Sequence, residues 1–206
     1  MASTHSPDFI SFRSNQCVYR LNRSGSDLRV GVLRTAEVPE AAKCQELLDE
    51  QGNHELLFGN AAILCEGKDD VIALRHFLLE SGVDLDGGSV SVVGLGGVGT
   101  LPAYAKMAAD LGIPWCGLTD EDLQDDGSVK PATAKVRAKL DAMRSDRDAL
   151  AVWPGSLEAA LGVPEGKKAT PDWQRENLLD LDAPTIVERY PEFAETCRAV
   201  ASWLTD

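Results

Sequence analysis

Glu66 closes one short apolar run, and Asp120 and Asp122 close a second run farther along the chain. The first reads Ala61-Ala62-Ile63-Leu64-Cys65-Glu66-Gly67-Lys68-Asp69-Asp70, the second Pro114-Trp115-Cys116-Gly117-Leu118-Thr119-Asp120-Glu121-Asp122. Asp70 follows Glu66 by one helical turn, so both carboxylates can face one space. Asp120 and Asp122 alternate along an extended segment and are expected to point the same way. Carboxylates gathered in this manner repel one another unless a cation sits between them, and hard oxygen ligands suit Mg²⁺ or Mn²⁺. Such a group of four can hold two divalent ions about 3.5–4 Å apart, which clamps both oxygens of an in-line phosphoryl displacement. Taken singly, Asp69 and Asp70 also read as first-turn acids matched to a helix dipole, and Asp120 to Asp122 as a solvated loop. Their joint placement favours the metal reading.

The elements that position these residues follow from periodicity. Short apolar runs bounded by Gly and Pro and alternating with helical stretches predict buried parallel strands. Strands are expected at about 61–66, 89–94, 114–119 and 149–153. Helices are expected between them at about 69–81, 101–111 and 131–144. These β–α steps imply right-handed crossovers and a mostly parallel α/β sheet with helices on both faces. Chemistry in such sheets gathers at the carboxyl ends of the strands. Upstream, Cys17–Leu21 and Leu28–Leu33 flank the turn formers Asn22 to Asp27, a hairpin signal. A helical pattern runs from about Pro39 to Phe58. Beyond Pro154 the chain reads as short helices at 156–161, 172–181, 185–190 and 192–204.

The chain has 206 residues, a 44% apolar fraction and a formal net charge of −13. That is enough for one domain with extensions and a sizeable core. The acidity argues against a broad basic nucleic-acid surface, but not against a nucleic-acid substrate reached through bound metal and a few local cations. The cysteines, Cys17, Cys44, Cys65, Cys116 and Cys197, form no C-x-x-C pair, and their odd count suits buried thiols in a reducing cytoplasm. No apolar run reaches membrane-spanning length. His54 and His76 lack metal-ligand spacing, and Trp153, Trp173 and Trp203 read as packing residues.

The Glu66-Gly67 and Asp120-Glu121-Asp122 pair resembles the TOPRIM domain of topoisomerases, primases, recombination proteins and certain nucleases, over about residues 57–155. Topoisomerase and primase versions usually add a further Asp where this chain has Gln124. The segments Glu55-Leu56-Leu57-Phe58, Cys65-Glu66-Gly67-Lys68-Asp69-Asp70, Gly94-Leu95-Gly96-Gly97, Leu111-Gly112-Ile113-Pro114, Leu118-Thr119-Asp120-Glu121-Asp122 and Leu157-Glu158 resemble more closely the nuclease domain of the OLD (overcoming lysogenization defect) family. That resemblance implies a TOPRIM-like sheet and a DNA endonuclease that uses two Mg²⁺ or Mn²⁺ ions, with a place in phage defence. It implies Glu66, Asp70, Asp120, Asp122 and Glu158 as metal ligands. The family more often carries Glu at the position of Asp70, so the reach here is one methylene shorter. It also implies a lysine that stabilises charge on the transition-state phosphate, for which Lys167 and Lys168 compete.

Thr4-His5-Ser6-Pro7 resembles the switch-histidine segment that ends the ATP-binding cassette ATPase of OLD proteins. Residues 1–15 are accordingly expected to be the end of an ATPase domain, 16–58 a hairpin and connecting helix, 59–155 the TOPRIM core and 156–206 a helical C-terminal segment. The chain has no G-x-x-x-x-G-K-[ST] loop, so any use of ATP would come through a separate ATPase domain. A homodimer would likewise form through regions outside these residues. Gly94-Leu95-Gly96-Gly97-Val98-Gly99 also fits the G-x-G-x-x-G pattern, with Asp120 downstream. A Rossmann-like nucleotide-binding module is therefore the alternative from another class, although the flanking carboxylates would repel a pyrophosphate. Another TOPRIM enzyme, of topoisomerase or primase type, stays open beside it.

Overall fold

The computed structural model describes residues 16–24, 27–38, 42, 44–46 and 53–205. The His5 segment and much of the expected 39–58 helix lie outside these residues. Within the latter span, residues 44–46 are helical, and Asn53–Leu57 forms a 3₁₀ turn.

The alternating apolar pattern at the start of the described chain forms an antiparallel hairpin. Its strands are β1 (Cys17–Ser24) and β2 (Asp27–Arg34), in register from Cys17↔Arg34 to Ser24↔Asp27. Both strands run farther into the turn than composition predicts. Two polar side chains tie the hairpin to the rest of the molecule. Arg20 Nη2 donates to the Gly59 carbonyl at 2.7 Å, and Asn22 Nδ2 donates to the Leu111 carbonyl at 3.1 Å.

The predicted βα units follow. They are β3 (Ala61–Cys65), α1 (Lys68–Glu80), β4 (Val90–Gly94), α2 (Leu101–Asp110), β5 (Trp115–Asp120), α3 (Pro131–Met143) and β6 (Ala149–Trp153). All strand pairs in this sheet are parallel, and their order is β4-β3-β5-β6. The first strand of the unit therefore lies inside the sheet, with its successors on either side. The chain reverses direction across the sheet at β3, and a crevice opens at the carboxyl ends of β3 and β5, where open α/β sheets bind their ligands.

Strand alternation divides the core in two. Ala62 and Leu64 of β3 face a cluster with Tyr104 and Met107 of α2, Leu140 of α3 and Leu33 of the hairpin. Ile63 and Cys65 face the other side, with Leu74 and Phe77 of α1. Helices thus cover both faces, and near-continuous apolar strands are the result. Burying one side chain such as Phe77 contributes about 1.5–3 kcal/mol.

The C-terminal helices are α4 (Leu157–Ala160), α5 (Pro171–Asn177), α6 (Ala183–Arg189) and α7 (Pro191–Thr205). Ser156, Thr170 and Asp182 cap the first three, each accepting from a backbone N–H in the first turn. They pack on the α1 side of the sheet, where Phe193 of α7 stacks on Trp153 with ring centroids 5.2 Å apart. Cys44, Cys65, Cys116 and Cys197 are buried, and Cys17 is exposed. Among the described residues no helix is long and apolar enough to cross a membrane.

Candidate active site

The crevice at the ends of β3 and β5 holds a pocket of about 270 Å³ lined by Glu66, Asp69, Asp70, Asp120, Glu158 and Lys168, with Gly67, Gly96, Gly97 and Leu157 completing its wall. Glu66 follows β3 directly, and Asp120 is the last residue of β5. The two strands are hydrogen-bonded neighbours, which brings the two residues together. The Asp120 backbone N–H donates to Glu66 Oε1 at 3.0 Å, and the Leu157 N–H at the start of α4 donates to Asp120 Oδ1 at 3.2 Å.

Burial is the main reason that the Glu66 carboxyl is pushed up to about 7; the Asp120 N–H opposes the rise, and the charges of Asp120, Asp70 and Asp122 add to it. Burial likewise pushes Asp120 up to about 6, with the Asp70 charge reinforcing it. Desolvation and mutual repulsion act together here.

Asp70 lies deeper, 8% exposed, and its oxygens are engaged. Oδ2 accepts from the Gly67 N–H at 2.9 Å, and Oδ1 accepts from Trp153 Nε1 at 2.8 Å. Burial raises its pKa, and both hydrogen bonds oppose that rise. Glu158 also lines the pocket, where its Oε1 is 3.3 Å from Lys168 Nζ and its Oε2 accepts from Ser156 Oγ. Burial works to raise the Glu158 pKa, but hydrogen bonds and the Lys168 charge outweigh it and leave the carboxyl below its ordinary value.

Glu66, Asp70, Asp120, Glu158 and Lys168 thus line one pocket. Lys167 does not line it; its backbone N–H closes a turn on the Pro164 carbonyl. Asp122 departs from the expected arrangement. β5 stops at Asp120, and Asp122 adopts a left-handed backbone conformation with φ of 55°. Simple strand alternation no longer applies to its side chain. Oδ1 accepts from Lys130 Nζ at 2.8 Å, and Oδ2 accepts from Thr133 Oγ1 at 2.6 Å, so the carboxylate faces α3. These bonds hold its pKa below the ordinary value.

Two further side chains shape the pocket without any signal in the sequence. Arg137 of α3 donates from Nε to Thr119 Oγ1 and from Nη2 to the Asp120 carbonyl, which braces the end of β5. Gln174 of α5 donates to the Asp69 carbonyl. Asp69 Oδ1 is buried without a hydrogen-bond partner. Only Trp153 could have been foreseen: in a parallel sheet its register opposite Asp120 follows from adjacent strands.

Among the described residues, no three Asp, Glu, His or Cys side chains stand close enough as they lie to enclose one ion. The chemistry of the donor set nonetheless suits a hard divalent cation. It offers carboxylate oxygens only, two of them desolvated and mutually repelled, with an orphan carboxylate oxygen nearby.

The glycine turn serves close packing. A Cβ on Gly94 would lie 3.0 Å from the Gly67 backbone, so only glycine lets the end of β4 approach the Glu66-Gly67 loop. The Gly97 N–H, which a phosphate cradle would need, donates to the Glu66 carbonyl at 2.8 Å.

Residues 57–122 match the family model described as the overcoming lysogenization defect protein-like TOPRIM domain. This segment is similar to OLD-like TOPRIM domains. Over 96% of its length the chain is 27% identical to the OLD nuclease of Thermus scotoductus (strain ATCC 700910 / SA-01). It spans 41% of the length of that relative. Among solved structures, it is similar to the C-terminal region of the Burkholderia pseudomallei OLD protein, with 24% identity, a TM-score of 0.44, and 72% of this chain and 91% of that one covered. The C-terminal region of the Xanthomonas campestris pv. campestris OLD protein shows 17% identity and a TM-score of 0.39, with 71% of this chain and 94% of that one covered.

Proposed function

We propose that the OLD-like TOPRIM domain and the helices that follow it form a divalent-metal-dependent DNA endonuclease. The observation that carries this reading is the convergence of Glu66 and Asp120 at the ends of adjacent parallel strands, with Glu158 and Lys168 lining the same pocket. Glu66, Asp120, Asp70 and Glu158 would hold Mg²⁺ or Mn²⁺. Two such ions, when bound, supply a water of lowered pKa for attack on the phosphodiester and charge stabilisation for the leaving oxygen. Asp122 would join them only by leaving Lys130 and Thr133.

The chain's own residues prepare that chemistry. Leu157 N–H and the Arg137 guanidinium fix Asp120 from two sides, so its carboxylate is oriented before any ligand arrives. Glu66 is aimed by the Asp120 N–H. Lys168 rests on Glu158 and is 76% exposed, so its ammonium can turn to a phosphate oxygen and stabilise the charge that develops there. Residues 59–155 would act as the catalytic core, and 156–206 would contribute Glu158 and Lys168.

The relative's length leaves room for a further domain. An ABC-type ATPase there would couple ATP to cutting, as the family resemblance implies, with the whole acting on DNA in the cytoplasm. The test is incubation of the pure protein with supercoiled plasmid and Mg²⁺ or Mn²⁺, alongside Asp120→Ala. Nicking by the wild type and its loss in the variant are expected. Absence of nicking, together with unchanged metal affinity in Asp120→Ala, would overturn the enzyme reading.

A further inference from the structure

Gln174 ties together two segments that line the pocket. It sits on α5, its side chain 0% exposed. The single amide nitrogen donates to the Asp69 carbonyl at 2.9 Å and to the Ala169 carbonyl at 2.7 Å. Asp69 belongs to the first turn of α1 and lines the pocket. Ala169 is fully buried and follows Lys168 directly. A primary amide is the neutral side chain of this length that offers two donors from one nitrogen; an ionised Glu offers none, and Met offers none.

We infer that Gln174 is a positioning residue that fixes the Lys168–Ala169 backbone against α1 and so selects Lys168, rather than Lys167, as the cation facing the carboxylates. With Ala169 pinned, the side chain one residue before it lies over Glu158, 3.3 Å from Oε1. Lys167 closes the Pro164 turn with its backbone N–H and does not line the pocket. The inference rests on the nuclease reading for the role of Lys168, though not for the hold on the backbone.

A double-mutant cycle with Gln174→Met and Lys168→Ala tests it, read as Mn²⁺-dependent plasmid nicking. Methionine keeps the length and approximate volume of the side chain while removing both donors. Gln174→Met is expected to lower kcat about tenfold or more with KM little changed, the range typical of outer-shell partners. In the Lys168→Ala background the same substitution should cost less than about twofold, because the group it positions is gone. An equal loss in both backgrounds would mean that Gln174 supports the fold alone, and the inference fails. Hydrogen exchange gives a readout without turnover. Amides of residues 167–170 should exchange faster in Gln174→Met, while those of β3 and β5 keep their rates; unchanged exchange at 167–170 also overturns the inference. If the wild type cuts no DNA, the nuclease reading fails by itself, and exchange still decides whether Gln174 holds this segment.

Discussion

The backbone N–H of Asp120 points at the side chain of Glu66, at 3.0 Å, across two strands that are far apart in sequence and adjacent in the sheet. One acidic residue thereby orients the other without neutralising it. Both carboxyls remain half-desolvated and repel each other, which creates an electrostatic demand for a cation at the strand ends.

Metal-free protein should lose stability as pH rises through this site. Glu66 has a folded pKa of about 7, above its unfolded value, so its contribution is fully present below about pH 4.5 and is lost as pH passes 7. Glu66→Gln keeps an oxygen to accept the Asp120 N–H and removes the charge. In EDTA at pH 8 it should raise the melting temperature by several degrees, equivalent to about 1–2 kcal/mol after allowance for solvent screening. At pH 4.5 the two proteins should melt together. A pH-independent difference would contradict the linkage, and Mg²⁺ should stabilise the wild type more than the variant.

Asp120 and Asp122 should separate in metal titrations. Asp120→Asn is expected to weaken Mn²⁺ binding at least about tenfold, because the residue faces the pocket. Asp122→Asn should weaken it less, because that carboxylate is bonded to Lys130 and Thr133. Isothermal titration of both variants checks this, and an equal loss would place Asp122 at the ion.

Thr133→Val should destabilise the protein by about 1–3 kcal/mol, since Thr133 is 1% exposed and the Asp122 oxygen would lose its donor. The Asp122 pKa is lowered in the folded state, so the stability it confers is present above the unfolded value of about 4 and is lost as pH falls through the folded one. Urea melts should therefore show a larger penalty at pH 7 than at pH 2.5. A constant penalty would assign it to packing instead.

Trp153 and Asp70 should be energetically coupled. The indole Nε1 donates to Asp70 Oδ1 at 2.8 Å inside the core. A cycle of Trp153→Phe and Asp70→Asn should give a coupling of about 0.5–3 kcal/mol in chemical denaturation. It should shrink as pH falls and Asp70 takes up its proton, because a neutral acid accepts more weakly than a carboxylate. Additive single effects would refute the link.

Arg137→Met should reduce stability by about 1–3 kcal/mol through the loss of donors to Thr119 and the Asp120 carbonyl. Mn²⁺ affinity should fall with it, because Asp120 loses one of its two braces. Arg137→Lys should recover only part, since one ammonium does not reproduce the planar guanidinium fork. Full recovery by Lys would show that charge alone matters.

Much of this architecture was legible in the linear sequence because its determinants are local. Apolar runs of strand length, helical spacing between them and the punctuation of Gly and Pro sufficed to place β3 to β6 and α1 to α3 within a residue or two. Glu66 and Asp120 follow from that directly, since each closes a strand and parallel sheets put strand ends together. The positions of Asp122 and Lys167 depended on more than local pattern. Asp122 left the strand alternation because β5 ended two residues earlier and the backbone turned left-handed, which delivered its carboxylate to donors on α3. Lys168 lines the pocket and Lys167 does not, and a buried amide on another helix bonds the backbone one residue beyond Lys168. The braces Arg137 and Gln174 bond across large sequence separations. A side chain that reaches another element leaves no periodicity behind, so only the tertiary packing decided where those hydrogen bonds would fall.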